Sequence, residues 1–111
     1  MTEETIAFQT SEKNGWTLWA VKGRLDRLTA QEAGTQADQV FAATQKLAVD
    51  MSELVYLSSA GIRVLLRLTK QAKAGGKDFA LVAPTGMVRA VLTESRMDMF
   101  AAIYASADEL P

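Results

Sequence analysis

The sequence contains neither cysteine nor histidine. Without cysteine there is no disulfide framework and no thiolate zinc site, and the chain suits a reducing compartment. Without histidine there is no Ser-His-Asp arrangement, no imidazole base at neutral pH and little means of holding a transition metal. Only two prolines occur, Pro84 and Pro111, and no linker, internal repeat or low-complexity tract is visible. Neither sign of charge dominates: the formal net charge is −1, which gives no reason to expect nucleic acid as a partner. No apolar run approaches the length of a membrane span. The opening residues, Met1-Thr2-Glu3-Glu4-Thr5, are acidic and polar, unlike the basic-then-apolar start of a secretory signal. Neither a Walker-type phosphate loop nor a Gly-x-Gly-x-x-Gly run is present, so nucleotide chemistry has no motif to rest on. These absences exclude most common hydrolases and leave carboxylate or lysine chemistry open; the chain is expected to be cytoplasmic and non-enzymatic, with no cofactor, no metal, no membrane and no nucleic acid.

The 111 residues, 49% of them apolar, fit a single domain over 1–111 that buries a core without staples. Ile6 to Gln9 and Trp16 to Val21 read as strands joined by Asn14-Gly15, a type I′ hairpin pair, with Gly23 ending the second strand. Thr29-Ala30-Gln31-Glu32 matches a capping box and opens a helix to about Thr44, with Ala33, Ala37, Val40 and Phe41 facing inward. Leu47 to Met51 and Phe79 to Ala83 read as strands buried on both faces, where alternation is lost. Between them a helix over about Ala60 to Ala74 carries Ile62, Leu65, Leu66, Thr69 and Ala72 inward and stops at Gly75-Gly76. Pro84-Thr85 opens a third helix with Met87, Val88, Val91 and Leu92 as its apolar set. Met99 to Tyr104 is expected to form a short last strand, and Ala107 to Leu110 a final helical turn. Met97, Met99 and Phe100 read as core. The order β-β-α-β-α-β-α-β predicts an α/β fold: a mixed, mostly parallel sheet packed against helices.

The informative stretch is Leu57-Ser58-Ser59-Ala60-Gly61-Ile62-Arg63, where two serines stand at the start of a helix. One reading makes either serine an N-cap, worth about 1 kcal/mol, and Gly61 a residue of close packing. The other uses the free amides and positive dipole end of a helix start, which tolerate an added phosphate. Arg63, one turn on, is placed to approach it. On the outer side of this helix Arg63, Arg67, Lys70 and Lys73 form a basic stripe. Lys70 and Lys73 read as a solvated face, Arg63 and Arg67 as partner contacts. Asp26, at a strand end, reads either as a turn former or as part of a binding surface. Asp50 reads as loop-structuring.

The run Leu57 to Leu66, together with Gly23-Arg24-Leu25-Asp26 and Val49-Asp50-Met51-Ser52, resembles the STAS domains of bacterial anti-sigma factor antagonists over nearly the whole chain. The resemblance implies a partner switch. Unphosphorylated, such a protein binds an anti-sigma factor that is also a serine kinase. Phosphorylation breaks the complex, and a PP2C-type phosphatase resets it. The family's phosphoacceptor motif, Asp-Ser-(Ser/Thr)-Gly, aligns its serine with Ser59, Ser58 being the second choice. The docking surface it implies comprises Asp26, Ser58, Ser59, Gly61, Ile62, Arg63 and Arg67. Two positions depart from the motif: Ser58 replaces the acidic residue, and Ala60 the following hydroxyl residue. They keep open an alternative, a constitutive STAS scaffold or complex subunit that phosphorylation does not regulate.

Overall fold

In the computed structural model, which describes residues 6–111, Asn14 and Gly15 adopt φ angles of 54° and 85°. That left-handed pair matches strand twist at a tight hairpin, and it joins β1 (Ile6–Lys13) to β2 (Trp16–Leu25). The segment Met1–Thr5, on which the reading of a non-secretory start rests, lies outside the described residues. The chain continues through α1 (Ala30–Ala42), β3 (Lys46–Asp50), β4 (Leu54–Leu57), α2 (Ser59–Gly75), β5 (Asp78–Val82) and α3 (Gly86–Glu94) to β6 (Ala102–Tyr104). Short 3-10 turns at Met97–Met99 and Ala107–Glu109 flank the last strand. Among the described residues no helix is long and apolar enough to cross a membrane.

The strands form one mixed sheet in the order β1-β2-β3-β5-β6. The β1–β2 pair is antiparallel and every other pair is parallel. Strand β4 lies off this path: β2 pairs with β3 over Thr17–Ala20, then with β4 over Gly23–Leu25. Gly23 does not end β2. It sits at a register shift with φ of 102°, a bulge conformation that costs glycine little, and the strand runs on to Leu25. Strand β4 was absent from the sequence-based order. Its four residues are too few to show a period, and they abut the serine motif.

The two sheet faces are unequal. Trp19 and Val21 of β2, Leu47 and Val49 of β3, and Leu81 of β5 join Ala33, Ala37 and Phe41 of α1, Leu65 and Leu68 of α2, and Val88 and Leu92 of α3 in one core. All three helices therefore cover one face. Each leucine fully buried there contributes about 1.5–3 kcal/mol. The opposite face has a smaller cluster of Trp16, Ala48, Ala80, Val82 and Leu110. There the chain's last residues fold over the hairpin: the Trp16 indole donates to the Pro111 carbonyl at 3.0 Å, and Lys13 meets Asp108 at 2.8 Å. Covering on both sides explains the unbroken apolar runs of β3 and β5.

Three local expectations need correction. Thr29 stands at the start of α1 but makes no side-chain cap, so the capping box does not form. Its hydroxyl instead accepts from the Asp26 amide and donates to the Arg24 carbonyl, both at 2.9 Å. Of the late apolar cluster only Met97 is core; Met99 and Phe100 are 68% and 49% exposed. The inward stripe of α2 also includes Val64 and Leu68, with Ile62 and Leu66 only half-buried at its margin.

Candidate functional site

Beyond the Gly23 bulge, β2 and β4 carry the site. Arg24 and Tyr56 are cross-strand partners, and the guanidinium carbon of Arg24 lies 4.1 Å from the centroid of the Tyr56 ring. The Ser58 amide donates to the Leu25 carbonyl at 3.0 Å, which ties the start of α2 to the end of β2. Beneath this junction lies Gly61. A Cβ there would fall 2.6 Å from Leu57 Cδ1 and 3.0 Å from the Leu25 carbonyl oxygen, inside contact distance, so only glycine lets α2 begin so close to the sheet.

Asp26 organises the turn that follows β2. Its Oδ1 accepts from the amides of Leu28 at 2.9 Å and Thr29 at 3.2 Å, and its Oδ2 lies 3.6 Å from Arg24 Nε. Partial burial pushes the carboxyl up. The hydrogen bonds from Leu28 and Thr29, with the Arg24 charge, outweigh it and hold Asp26 below the usual aspartate range. The side chain is thus a turn former, and it also lines the cavity beside the serines. Asp50 is loop-structuring: its carboxylate accepts from the Ser52 amide at 3.0 Å.

A cavity of about 310 Å³ opens at the start of α2. Of the residues singled out in the sequence, it brings together Asp26, Ser58, Ser59 and Arg63. The two serines differ. Ser59, the first residue of α2, is exposed. Ser58 precedes the helix, makes no side-chain cap, and has a buried hydroxyl oxygen with no hydrogen-bond partner. Gly61 is buried and supports the site from below, and Ile62 is half-buried against the core. Arg67 lies outside the cavity. It bonds Asp38 at 2.8 Å and the Gly34 carbonyl at 3.3 Å, so it fastens α2 to α1. Gly34 makes room for it, since a Cβ there would meet the guanidinium at 2.8 Å.

The cavity also holds Arg24, Arg27, Leu28 and Tyr56, which sequence reasoning did not single out. The signal for Arg24 and Tyr56 is the pairing of β2 with β4, which four residues of strand do not show in sequence. Leu28 is 79% exposed, an apolar side chain on the rim of a polar cavity. Among the described residues no group of carboxylates is arranged to hold a metal ion.

Residues 10–103 match the family described as "Mlab, STAS domain". Osmosensory protein A of Mycobacterium tuberculosis is 29% identical over 72 residues, covering 65% of this chain and 46% of that protein. The chain thus spans about half the length of that curated relative. Among solved structures, an anti-sigma factor antagonist from Mycobacterium paratuberculosis superposes with a TM-score of 0.85 at 22% identity, covering 94% of this chain and 89% of its own. The anti-sigma factor antagonist SpoIIAA of Bacillus, unphosphorylated, superposes with a TM-score of 0.71 at 19% identity, covering 87% of each chain. At such identities the likeness is one of fold.

Proposed function

This chain belongs to the STAS domain family, and from that membership we propose that it is a cytoplasmic anti-sigma factor antagonist, residues 1–111 acting as one domain by binding rather than catalysis. Unphosphorylated, it docks an anti-sigma factor with serine kinase activity through the surface around Asp26, Ser58, Ser59 and Arg63. The kinase transfers the γ-phosphoryl group of ATP to Ser59. The Ser59 Oγ–P bond forms as the bond to the β-phosphate oxygen breaks, ADP leaves, and the hydroxyl proton passes to a base of the kinase. The phosphate brings about −1.5 to −2 charges. Desolvating that charge against a docked partner costs several kcal/mol, enough to release the partner. A PP2C-type phosphatase removes the group by hydrolysis and restores binding.

The observation that carries this reading is the exposed Ser59 at the first position of α2, in a cavity shared with Asp26 and Arg63. Ser58, whose hydroxyl oxygen is buried, is the poorer acceptor. The test is intact-mass spectrometry after incubation with the cognate kinase and ATP, followed by peptide mapping. One phosphate on Ser59 is expected. No phosphate, with a stable kinase complex still forming, would replace the switch with a constitutive STAS subunit. That second reading is favoured by Ser58 standing where the family motif has an acid.

A further inference from the structure

Three arginines line the cavity at the start of α2. Arg24 comes from β2, Arg27 from the turn after it and Arg63 from α2 itself, and the same cavity holds Ser59. Among the described residues the only carboxylate on that wall is Asp26, already bonded to the Leu28 and Thr29 amides and paired with Arg24. Among the described residues Arg27 and Arg63 take part in no ion pair. The chain as a whole carries a net charge of −1, so this local excess of positive charge is not a reflection of composition. Arg24 lies over the Tyr56 ring with 49% of its side chain exposed. The first turn of α2 adds its amides: no side chain caps it, and its first helical bond runs from the Ile62 amide to the Ser58 carbonyl.

We infer that Arg24, Arg27 and Arg63 form a clamp for a phosphate on Ser59, folding the modified side chain back onto the protein's own surface. The inference rests on Ser59 being the phosphoacceptor. A phosphate dianion offers three acceptor oxygens, and guanidinium forks bind such groups through paired, charge-assisted hydrogen bonds. Asp26 limits the clamp by holding part of Arg24, which leaves Arg63 and Arg27 as its principal arms. Phosphorylation then does more than add negative charge: it withdraws the arginines from the face they otherwise present to the partner.

The test uses the chain itself, with phosphoserine installed at position 59 during translation and its phosphorus resonance titrated by NMR. Free phosphoserine loses its second proton at about pH 6. The clamp should lower that value by about one unit at low salt, Arg63→Gln should return it most of the way, and Arg24→Gln part of the way. Both arginines are exposed, so both variants are expected to fold, and circular dichroism verifies it. A parent protein titrating at about pH 6 overturns the clamp. So does a lowered value that survives replacement of Arg24, Arg27 and Arg63 together by glutamine, since the helix terminus alone would then be its source. Because translation places the phosphoserine, failure of a kinase to modify Ser59 would sink the functional proposal without deciding the clamp, and the NMR result decides the clamp alone.

Discussion

Arg24 lies over the ring of Tyr56, its guanidinium carbon 4.1 Å from the ring centroid, while its Nε reaches to 3.6 Å from Asp26 Oδ2. One cation thus holds an aromatic face on β4 and a carboxylate after β2. A double-mutant cycle of Arg24→Gln and Tyr56→Leu, read by urea unfolding, should give a coupling of about 0.5–1 kcal/mol. A coupling of zero would mean that the stack does not hold in solution.

Gly61→Ala should be destabilising. The new methyl would fall within 3 Å of Leu57 and Leu25 atoms, and part of that contact is backbone. Overpacking of this kind costs about 1–3 kcal/mol. The urea midpoint should fall accordingly, and any loss of partner affinity should accompany a displaced α2, visible as shifted amide resonances at Ser59 and Arg63.

Ser59→Ala should keep partner binding and lose all response to the kinase. Ser59→Asp should bind less tightly than the parent, by less than phosphorylation does, because one carboxylate carries less charge than phosphate. Calorimetry on both variants checks this; an aspartate variant binding as tightly as the parent would remove charge from the mechanism.

Ser58→Ala should be nearly neutral or slightly stabilising. The hydroxyl oxygen it removes is buried and unpaired, and an unsatisfied buried polar group carries a desolvation cost of about 1–3 kcal/mol that alanine does not. A clear loss of stability would show that the hydroxyl finds a partner in solution.

Asp26 sets a pH dependence. Its pKa is lowered by folding despite partial burial, through its hydrogen bonds and Arg24. A depressed carboxylate contributes stability that is fully present above the unfolded value of about 3.9 and is lost as pH falls through the lower folded value. The stability difference between the parent and Asp26→Asn should therefore be constant near neutrality and shrink below about pH 4. A difference unchanged down to pH 2.5 would remove the carboxylate's charge from the account.

Much of the fold was legible because strong local signals agreed with the tertiary structure. Asn14-Gly15 announced the hairpin, Gly75-Gly76 the end of α2, and the apolar runs at Leu47 and Phe79 the central parallel strands. The failures share a cause: a side chain took a tertiary partner that no local pattern shows. Thr29 looked like a helix cap, yet its hydroxyl is claimed by Arg24 and Asp26 backbone groups. Arg67, read as a partner contact, also bonds Asp38 and the Gly34 carbonyl, a role that no local pattern shows. Of the candidate site, Ser59, Asp26 and Arg63 were found from the motif. Arg24 and Tyr56 required β4, whose identity comes only from its pairing with β2.

That pairing also sets when the site can exist. Strand β2 serves two partners along one edge, β3 before the bulge and β4 after it. Residues from far apart in the chain must meet before Arg24 finds Tyr56, and such long loop closures are slow steps in folding. The proposed docking surface should therefore form late in assembly. A partner that recognises it meets only chains whose sheet has already closed.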